Sequence, residues 1–222
     1  MKQVHIQFAW HAFLLIAALL FVGIFAMSAY ADEKYETPRY TLVSKQDAFE
    51  IRDYPPQLVA EVTIKGDRSE AANKGFRVLA DFIFGGNATS TSVAMTAPVM
   101  QEIAPPSSRS IMPSDKDSSA WVVRFMMPSQ FTKETLPTPK DNRIAIRELA
   151  GYRAASITFT GLWTESNLGE HVKKLKAFIA REELQVIAKP AYAFYNDPFT
   201  WPWSRRNEII VALAPGVDLK NK

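Results

Sequence analysis

The stretch FEIRDYPPQLVAEVTI, residues 49–64, predicts two strands joined by a sharp corner. Polar and apolar side chains alternate over residues 49–54 and again over 58–64, which is the period of a half-buried strand. Pro55 and Pro56 separate the two runs, because proline lacks the N–H that a strand donates to its neighbour. The corner therefore predicts a strand pair at the start of the domain.

A helix is predicted directly after this strand pair. Asp67 and Glu70 have the spacing of a capping box, with Asp in place of Ser or Thr. The pair Gly85-Gly86 predicts the helix end. Apolar residues recur at four-, three- and four-residue spacing and predict a buried stripe made of Ala72, Phe76, Leu79 and Ile83.

The same order of elements occurs a second time. Further strands are predicted at 92–101 and 120–127 in the first half and at 143–149, 152–160, 190–196 and 207–213 in the second. A second helix is predicted at 164–183, with a buried stripe made of Leu168, Val172, Leu175 and Ile179. A strand-strand-helix-strand-strand unit used twice predicts an α+β fold, with two four-stranded sheets closed into a distorted antiparallel β-barrel flanked by two helices.

Residues 1–31 differ from the rest of the chain. They carry one formal charge, at Lys2, and an apolar run of 16 residues at 12–27. Small residues at Ala29 and Ala31 complete the pattern of a secretory signal peptide. The alternative is an uncleaved N-terminal membrane anchor, although about 20 apolar residues are needed to cross a bilayer. We expect a periplasmic or secreted protein, or one anchored to the inner membrane and facing the periplasm.

The composition excludes several classes of function. The 222 residues include 26 basic and 23 acidic side chains, a balance that argues against a nucleic-acid partner. The chain has no cysteine, which excludes disulfides, thiolate metal sites and covalent haem attachment through C-x-x-C-H. The motifs G-x-S-x-G, H-E-x-x-H, P-loop and G-x-G-x-x-G are also absent from the sequence. We therefore expect no enzymatic activity.

Several segments occur in a characteristic order: FEIRDYPP at 49–56, GFRVLA at 75–80 leading to IFGGN at 83–87, AMTAPV at 94–99, FMMP at 125–128 and RRNE at 205–208. Together they resemble the SOUL haem-binding protein family over about residues 40–213, which leaves 214–222 as a C-terminal tail. The resemblance implies a duplicated barrel. It also implies non-covalent binding of haem or another tetrapyrrole in an apolar groove, for carriage or buffering.

The resemblance also implies where the tetrapyrrole lies. One face of the first helix would contact it, opposite the loop that enters the last strand. The corresponding residues are Asn73, Phe76, Leu79 and Ala80 on the helix and Tyr195 in the loop. Core packing explains Phe76 and Leu79 equally well, because both belong to the predicted buried stripe. Lys74 and Arg77 lie beside Asn73, where some relatives carry basic residues that pair with haem propionates.

Removal of residues 1–31 leaves His171 as the single histidine, so one chain cannot supply two imidazoles to haem iron. His171 lies in the second predicted helix, one turn before Leu175. A histidine at the border of the core is one explanation of this position. Ligation of haem iron is the other, and the metal ligand stays unknown.

The segment YNDPFTWPW, residues 195–203, is rich in aromatic residues. Phe199, Trp201 and Trp203 have large ring faces that suit stacking on a flat macrocycle, and Trp201 and Trp203 are predicted to bind the cofactor. The alternative is a clamp in which the same rings hold the loop to the barrel.

Two other functions stay open. An enzyme acting on a small apolar substrate would use Glu208 or Glu61 as a carboxylate in the cleft. A protein-interaction module would contact an envelope partner, of unknown identity, through the Pro- and Ser-rich run at 104–119. The membrane is an expected partner only through an uncleaved N-terminal segment.

Overall fold

The computed structural model describes residues 35–105 and 120–215. The predicted leader, most of the Pro- and Ser-rich run and most of the C-terminal tail lie outside these residues. Within them are nine strands and two α-helices, which are β1 (Thr41–Gln46), β2 (Phe49–Tyr54), β3 (Gln57–Lys65), α1 (Arg68–Ile83), β4 (Val99–Ile103), β5 (Ala120–Met126), β6 (Ala145–Leu149), β7 (Tyr152–Phe159), α2 (Glu165–Arg181), β8 (Ala191–Phe194) and β9 (Asn207–Leu213). A short 3₁₀ turn, Pro202–Ser204, precedes β9.

All nine strands belong to one antiparallel sheet, in the order β1-β2-β7-β9-β8-β4-β5-β3-β6, curled into a half-barrel. The predicted α+β class, the duplicated unit and the two flanking helices are confirmed. The two halves are not separate sheets, however, because β4 pairs with β8, with Val99 opposite Phe194. The sheet ends at β1 and β6, so the described part of the barrel keeps two open edges.

The first strand of each unit crosses to the sheet of the other unit. β2 pairs with β7, with Ile51 opposite Ala155, and β6 pairs with β3, with Ile146 opposite Ala60. Sequence patterns did not predict this exchange, because alternation specifies which side chains are buried and not which strand lies beside them.

Helix α1 begins as predicted, with the Asp67 carboxylate accepting a hydrogen bond of 2.8 Å from the backbone N–H of Glu70. Its buried side consists of Arg68, Ala71, Gly75, Leu79, Phe82 and Ile83. The predicted stripe was therefore wrong for Phe76, which is 39% exposed, and for Ala72, which is half-buried. Gly75 is the reason: a Cβ there would lie 2.5 Å from Val123 of β5. Helix and sheet approach at Gly75, and Phe76 turns outward.

Helix α2 begins after Thr164, whose hydroxyl accepts from the backbone N–H of Asn167. It buries Leu168, Leu175, Phe178 and Ile179, and Val172 is partly buried against the same core. The predicted stripe of α2 is thus largely confirmed. The described residues include no helix that is both long and apolar enough to cross a bilayer.

Both helices cover the same face of the sheet. Helix α1 packs on β3 and β5, and α2 packs on β7 and β9, each over its own apolar core. Buried Arg68, the first residue of α1, joins the two: it donates to the carboxylate of Glu165 at 2.8 Å and to the carbonyl of Trp163 at 2.7 Å. The opposite face carries a smaller cluster around Tyr54, Ala154, Ala193 and Ile210.

Two strand predictions differed from the structure. The strand predicted at 92–101 forms only from Val99, and Pro98 precedes it without an N–H to donate. Before it, Thr96 bonds through its hydroxyl to the carbonyl of Met126 at 2.6 Å. Strand β1 was not predicted, because as an edge strand its side chains are almost all exposed and show no alternation.

Candidate functional site

A row of apolar side chains runs along the outer side of α1. Phe76, Ala80 and Phe84 are four residues apart, so they lie on one side of the helix, one turn after another. Phe76 is 39% exposed, Phe84 is 65% exposed and Ala80 is half-buried. The ring of Phe76 meets that of buried Phe125 edge-on, with centroids 5.5 Å apart. Phe84 was missed in the sequence, although its spacing from Phe76 was available.

Polar groups lie beside this row. Asn73 is exposed, and its amide donates to the carbonyl of Ser69 at 3.0 Å. Lys74 forms an ion pair with Glu70 at 2.5 Å. Arg77 is exposed and has no ion pair or side-chain hydrogen bond with any residue that the structure describes. A cation is therefore available next to the apolar row.

Leu79 lies underneath the row. It is 0% exposed and belongs to the core between α1 and the sheet, together with Phe82 and Ile83. A ligand on the outer side of α1 would touch Phe76 and Ala80, and Leu79 would support them from below. Its predicted role in binding stays a prediction.

The aromatic loop, residues 197–203, forms a second exposed apolar surface. Phe199, Trp201 and Trp203 are 94%, 66% and 68% exposed. The two indole rings stack on each other, with centroids 5.0 Å apart and planes 14° apart. These rings do not clamp the loop to the barrel, because they face solvent.

Other groups hold the aromatic loop. The Asp197 carboxylate accepts from the backbone N–H groups of Phe199, at 2.8 Å, and Thr200, at 3.0 Å. Buried Arg205 donates to the carbonyls of Pro198, at 2.7 Å, and Thr200, at 2.8 Å. The Arg205 guanidinium also lies 4.5 Å from the ring centre of Trp163. The loop is thus fixed at its base while its rings project.

Tyr195 lies on the other face of the sheet from α1. Its hydroxyl donates to the carboxylate of Glu208 at 2.9 Å, and the Arg206 guanidinium lies 4.0 Å from its ring centre. Burial and the negative charge of Glu208 raise the pKa of Tyr195 well above its ordinary value. The structure therefore does not bring Tyr195 to the α1 residues with which it was grouped.

Glu208 is fully buried at the centre of the Arg52 network, a set of charged and hydroxyl side chains on β2, β7 and β9 and in the residues just before β9. Arg52 donates to both of its oxygens, at 2.8 and 3.1 Å, and Arg206 donates at 2.8 Å. Thr158 adds a bond of 3.2 Å. Burial alone would raise the pKa of Glu208, but the hydrogen bonds and charges of Arg52 and Arg206 hold it below the ordinary value. The carboxylate is ionised and fully engaged.

The Arg124 network lies on the same face in the other half. Arg124 donates to Glu61 at 2.7 Å and to Glu102 at 2.7 Å, and exposed Arg147 also pairs with Glu61. Burial raises the pKa of Tyr152 to about 12, although the positive charges of Arg124 and Arg52, one from each network, act to lower it. The two networks and the tyrosines thus lie on this face of the half-barrel.

His171 is half-buried on α2. Its Nδ1 lies 2.8 Å from the carbonyl oxygen of Asn167, which can only accept, so Nδ1 donates this hydrogen bond and Nε2 takes no part in it. The imidazole stacks on Phe159, with centroids 4.0 Å apart. This geometry fits a histidine at the border of the core. A free Nε2 also leaves ligation of iron as a prediction to be tested.

The predicted residues thus occupy four places: the outer side and core of α1, the aromatic loop, the opposite face of the sheet, and α2. A cavity of about 440 Å³ at the corner of β3 and β6 is lined by none of them; its lining is Pro56, Gln57, Leu58, Glu148, Leu149 and Ala150. The described segments contain no group of three His, Cys, Asp or Glu residues arranged to hold a metal ion.

Comparison with known proteins gives a family and a fold. The family model described as SOUL heme-binding protein matches residues 35–212. A search of curated protein sequences found no match.

Among solved structures, the C-terminal domain of EcmrR is similar with a TM-score of 0.56 at 10% identity, covering 79% of this chain and 98% of that one. A hydrolase from Listeria innocua has a TM-score of 0.53 at 13% identity, covering 78% and 94%. An uncharacterized conserved protein from Listeria innocua has 0.54 at 15%, covering 77% and 94%. At these identities the likeness concerns the fold alone.

Proposed function

This chain belongs to the SOUL haem-binding protein family, and we propose that it binds haem or another tetrapyrrole non-covalently on the outer side of α1. The observation that carries the proposal is the exposed row of Phe76, Ala80 and Phe84. Large apolar side chains exposed side by side mark ligand or partner surfaces on soluble proteins.

The chemistry of this surface suits a flat macrocycle with acidic side chains. The rings of Phe76 and Phe84 offer apolar contact, and Ala80 between them leaves room for a plane to approach. Burying about 300 Å² of porphyrin at about 25 cal/mol/Å² contributes about 7 kcal/mol before the entropic cost of association. Micromolar affinity corresponds to about 8 kcal/mol, so this apolar contact needs support from further contacts, such as a propionate bound by Arg77.

Arg77 supports the same placement. It lies one turn from both Asn73 and Ala80 on the helix surface, and its guanidinium has no partner among residues 35–105 and 120–215. A carboxylate accepts two parallel hydrogen bonds from a guanidinium, which makes Arg77 suited to a propionate. Lys74 is less available, because it already pairs with Glu70.

We also propose that the protein acts outside the cytoplasm, as a carrier or buffer of its ligand. The support is the sequence of residues 1–31, with its apolar run and small residues before the predicted cleavage site. Mass measurement of the protein from each cell fraction tests this. A periplasmic species of residues 32–222 supports export with cleavage, and a cytoplasmic species of full length contradicts it.

An enzymatic role receives less support from the site. The carboxylates considered for it, Glu208 and Glu61, each pair with two arginines. A general base must be free to accept a proton, whereas Glu208 is fully buried and its pKa is held below the ordinary value. Binding, rather than proton transfer, is the better-supported function.

Titration of the full chain with haemin tests the proposed site. We expect a saturable Soret change at micromolar protein. Because each ring contributes apolar contact, Phe76→Ser with Phe84→Ser should weaken binding by about tenfold or more. Absence of a saturable change in the unmodified chain would contradict the proposal.

Two further variants complete the test. Ile187→Ser is the matched control, because Ile187 is an apolar side chain, 61% exposed, in the second half of the chain; its affinity should equal that of the unmodified protein. His171→Ala addresses the iron ligand. An unchanged Soret spectrum excludes imidazole ligation at this position. A shifted spectrum would mean that haem binds at α2 rather than at α1.

A further inference from the structure

The aromatic loop carries a surface that the proposed function does not use. Phe199, Trp201 and Trp203 are all more than half exposed, and Leu162, 50% exposed, belongs to the neighbouring turn. The two segments are joined by a hydrogen bond of 2.8 Å from the N–H of Gly161 to the carbonyl of Pro202. Four large apolar side chains therefore project at one corner of the molecule.

This corner is separate from the outer side of α1. The loop contacts residues 161–163 at the start of α2, and the nearest described link to α1 is Arg68, which bonds to the carbonyl of Trp163. Phe76 lies eight residues beyond Arg68, about 12 Å further along the helix at 1.5 Å per residue.

We propose that the aromatic loop docks on a lipid bilayer, with the rings of Phe199, Trp201 and Trp203 in the interfacial layer. Tryptophan favours this layer because its ring is apolar while its N–H can bond to a headgroup. Neither indole N–H of Trp201 or Trp203 has a hydrogen-bond partner within the parts of the chain that the structure covers.

The charged side chains of the loop are engaged at its base. Over residues 195–206 the chain has one acidic residue, Asp197, and two basic residues, Arg205 and Arg206. The Asp197 carboxylate is turned toward two backbone N–H groups at the base of the loop. Arg205 is buried at the base of the loop and Arg206 pairs with buried Glu208, so the rings, rather than these arginines, supply the attraction for the bilayer.

The loop is also built before it meets any partner. Asp197, Arg205 and the stack of the two indoles fix its shape, so little conformational freedom is lost on docking. A bilayer is expected near the domain because of the apolar run at 12–27. Whether this run is a cleaved signal peptide or a membrane anchor, it brings the domain to the outer side of a membrane.

Indole quenching by brominated phosphatidylcholine tests the proposal in the full, haem-free chain. Every variant carries Trp10→Phe, so that the N-terminal segment contributes no indole. Vesicles of phosphatidylcholine mixed with an equal amount of phosphatidylglycerol are compared with and without the brominated lipid. We expect strong quenching, and loss of most of it in Trp201→Ser with Trp203→Ser, because Trp121 is buried and Trp163 is partly buried.

The protein purified without residues 1–31, if cells process it so, is measured by sedimentation with the same vesicles. The two Trp substitutions should weaken its partitioning by about tenfold or more. Phe76→Ser is the matched control. It should leave both lipid readouts unchanged and weaken haemin binding, so failure of one proposal is distinguishable from failure of the other.

Equal emission with brominated and ordinary lipid would overturn the proposal. The proposal would also be overturned if the unmodified chain showed no lipid quenching and the double Trp variant lost haemin binding. The loop would then be part of the tetrapyrrole site. Capture by phosphatidylcholine alone at the same affinity would support docking and remove the contribution of charge.

Discussion

The two repeated units bury the same residues in their helices. Leu79, Phe82 and Ile83 of α1 have the same spacing as Leu175, Phe178 and Ile179 of α2. All six are at most 7% exposed. The inner side of each helix is therefore set by packing on the sheet, and packing makes the two units alike.

The outer sides differ. Aligned on the buried residues, Phe76, Ala80 and Phe84 of α1 correspond to Val172, Lys176 and Ala180 of α2. Helix α1 exposes two aromatic rings where α2 places Val172 partly against its core and an alanine in solvent. The fold does not require exposed rings at this position, since one copy does without them. Their presence on α1 agrees with the proposed binding surface.

The two charged networks differ in a similar way. Arg52 and Glu208 are 2% and 0% exposed in their side chains, and the network lies in the interior. In the Arg124 network, Glu102 is 32% exposed and Arg147 is 63% exposed. One half of the molecule encloses its charges, and the other opens them to solvent.

The largest expected effect breaks the enclosed network. Glu208→Gln should lower the free energy of unfolding by about 3 to 5 kcal/mol, because Arg52 and Arg206 lose a buried counter-charge. Glu61→Gln should cost about 1 to 2 kcal/mol, since Arg124 keeps Glu102 and Arg147 reaches water. Denaturant unfolding compares the two variants. Equal losses would show that burial does not separate the networks.

The next largest effect is expected from truncating the buried side of either helix, and the loss should be the same in both. Leu79→Ala and Leu175→Ala, 0% and 1% exposed, should each lower stability by about 3 kcal/mol through the cavity left behind. Thermal or denaturant unfolding gives both values. A difference of more than about 2 kcal/mol between them would mean that the two helices do not contribute alike.

A smaller effect is expected on the outer sides. Ala80→Asp places a charge within the apolar row and should weaken haemin binding by about tenfold, with little change in stability. Lys176→Asp introduces an aspartate at the position of α2 that aligns with Ala80, and it should leave haemin affinity unchanged. If both variants bind haemin as the unmodified chain does, the contrast between the helices has no bearing on the ligand.

The smallest effect concerns acid. The folded-state pKa of Glu208 lies below its ordinary value of 4.5, so its stabilising contribution is present above pH 4.5 and is lost as the pH falls through the folded pKa. Glu50, whose pKa is also lowered, behaves in the same direction. Unfolding measured from about pH 7 to about pH 3 should therefore show a shallower acid decline in Glu208→Gln, where one of these carboxylates is absent.

Much of the local structure could be predicted from the sequence. Alternation at 49–54 and 58–64 and the Asp67 cap predicted β2, β3 and the start of α1, because side-chain period and capping are local properties. The buried stripe of α1 was predicted to include Phe76, whereas the preceding residue, Gly75, is the buried one. Its rotation depends on the contact between Gly75 and Val123, residues far apart in the chain.

The candidate site was predictable only in part. Phe76 and Ala80 could be grouped from helix spacing, and Phe84 follows the same spacing. Tyr195 was grouped with them as well, but it lies on the other face of the sheet, because the face that a loop residue joins depends on strand pairing. Its role in binding stays a prediction. His171 and the aromatic loop stay predictions for the tetrapyrrole.

By itself the sequence determined the repeated unit, the polarity of each element and the family, since these follow from residue order and short-range spacing. Only the tertiary structure decided that β2 and β6 exchange between units, that Glu208 is enclosed by Arg52 and Arg206, and that Phe76 faces solvent. The reason is that these features arise from contacts between residues as many as 156 positions apart, whose partners no local pattern specifies.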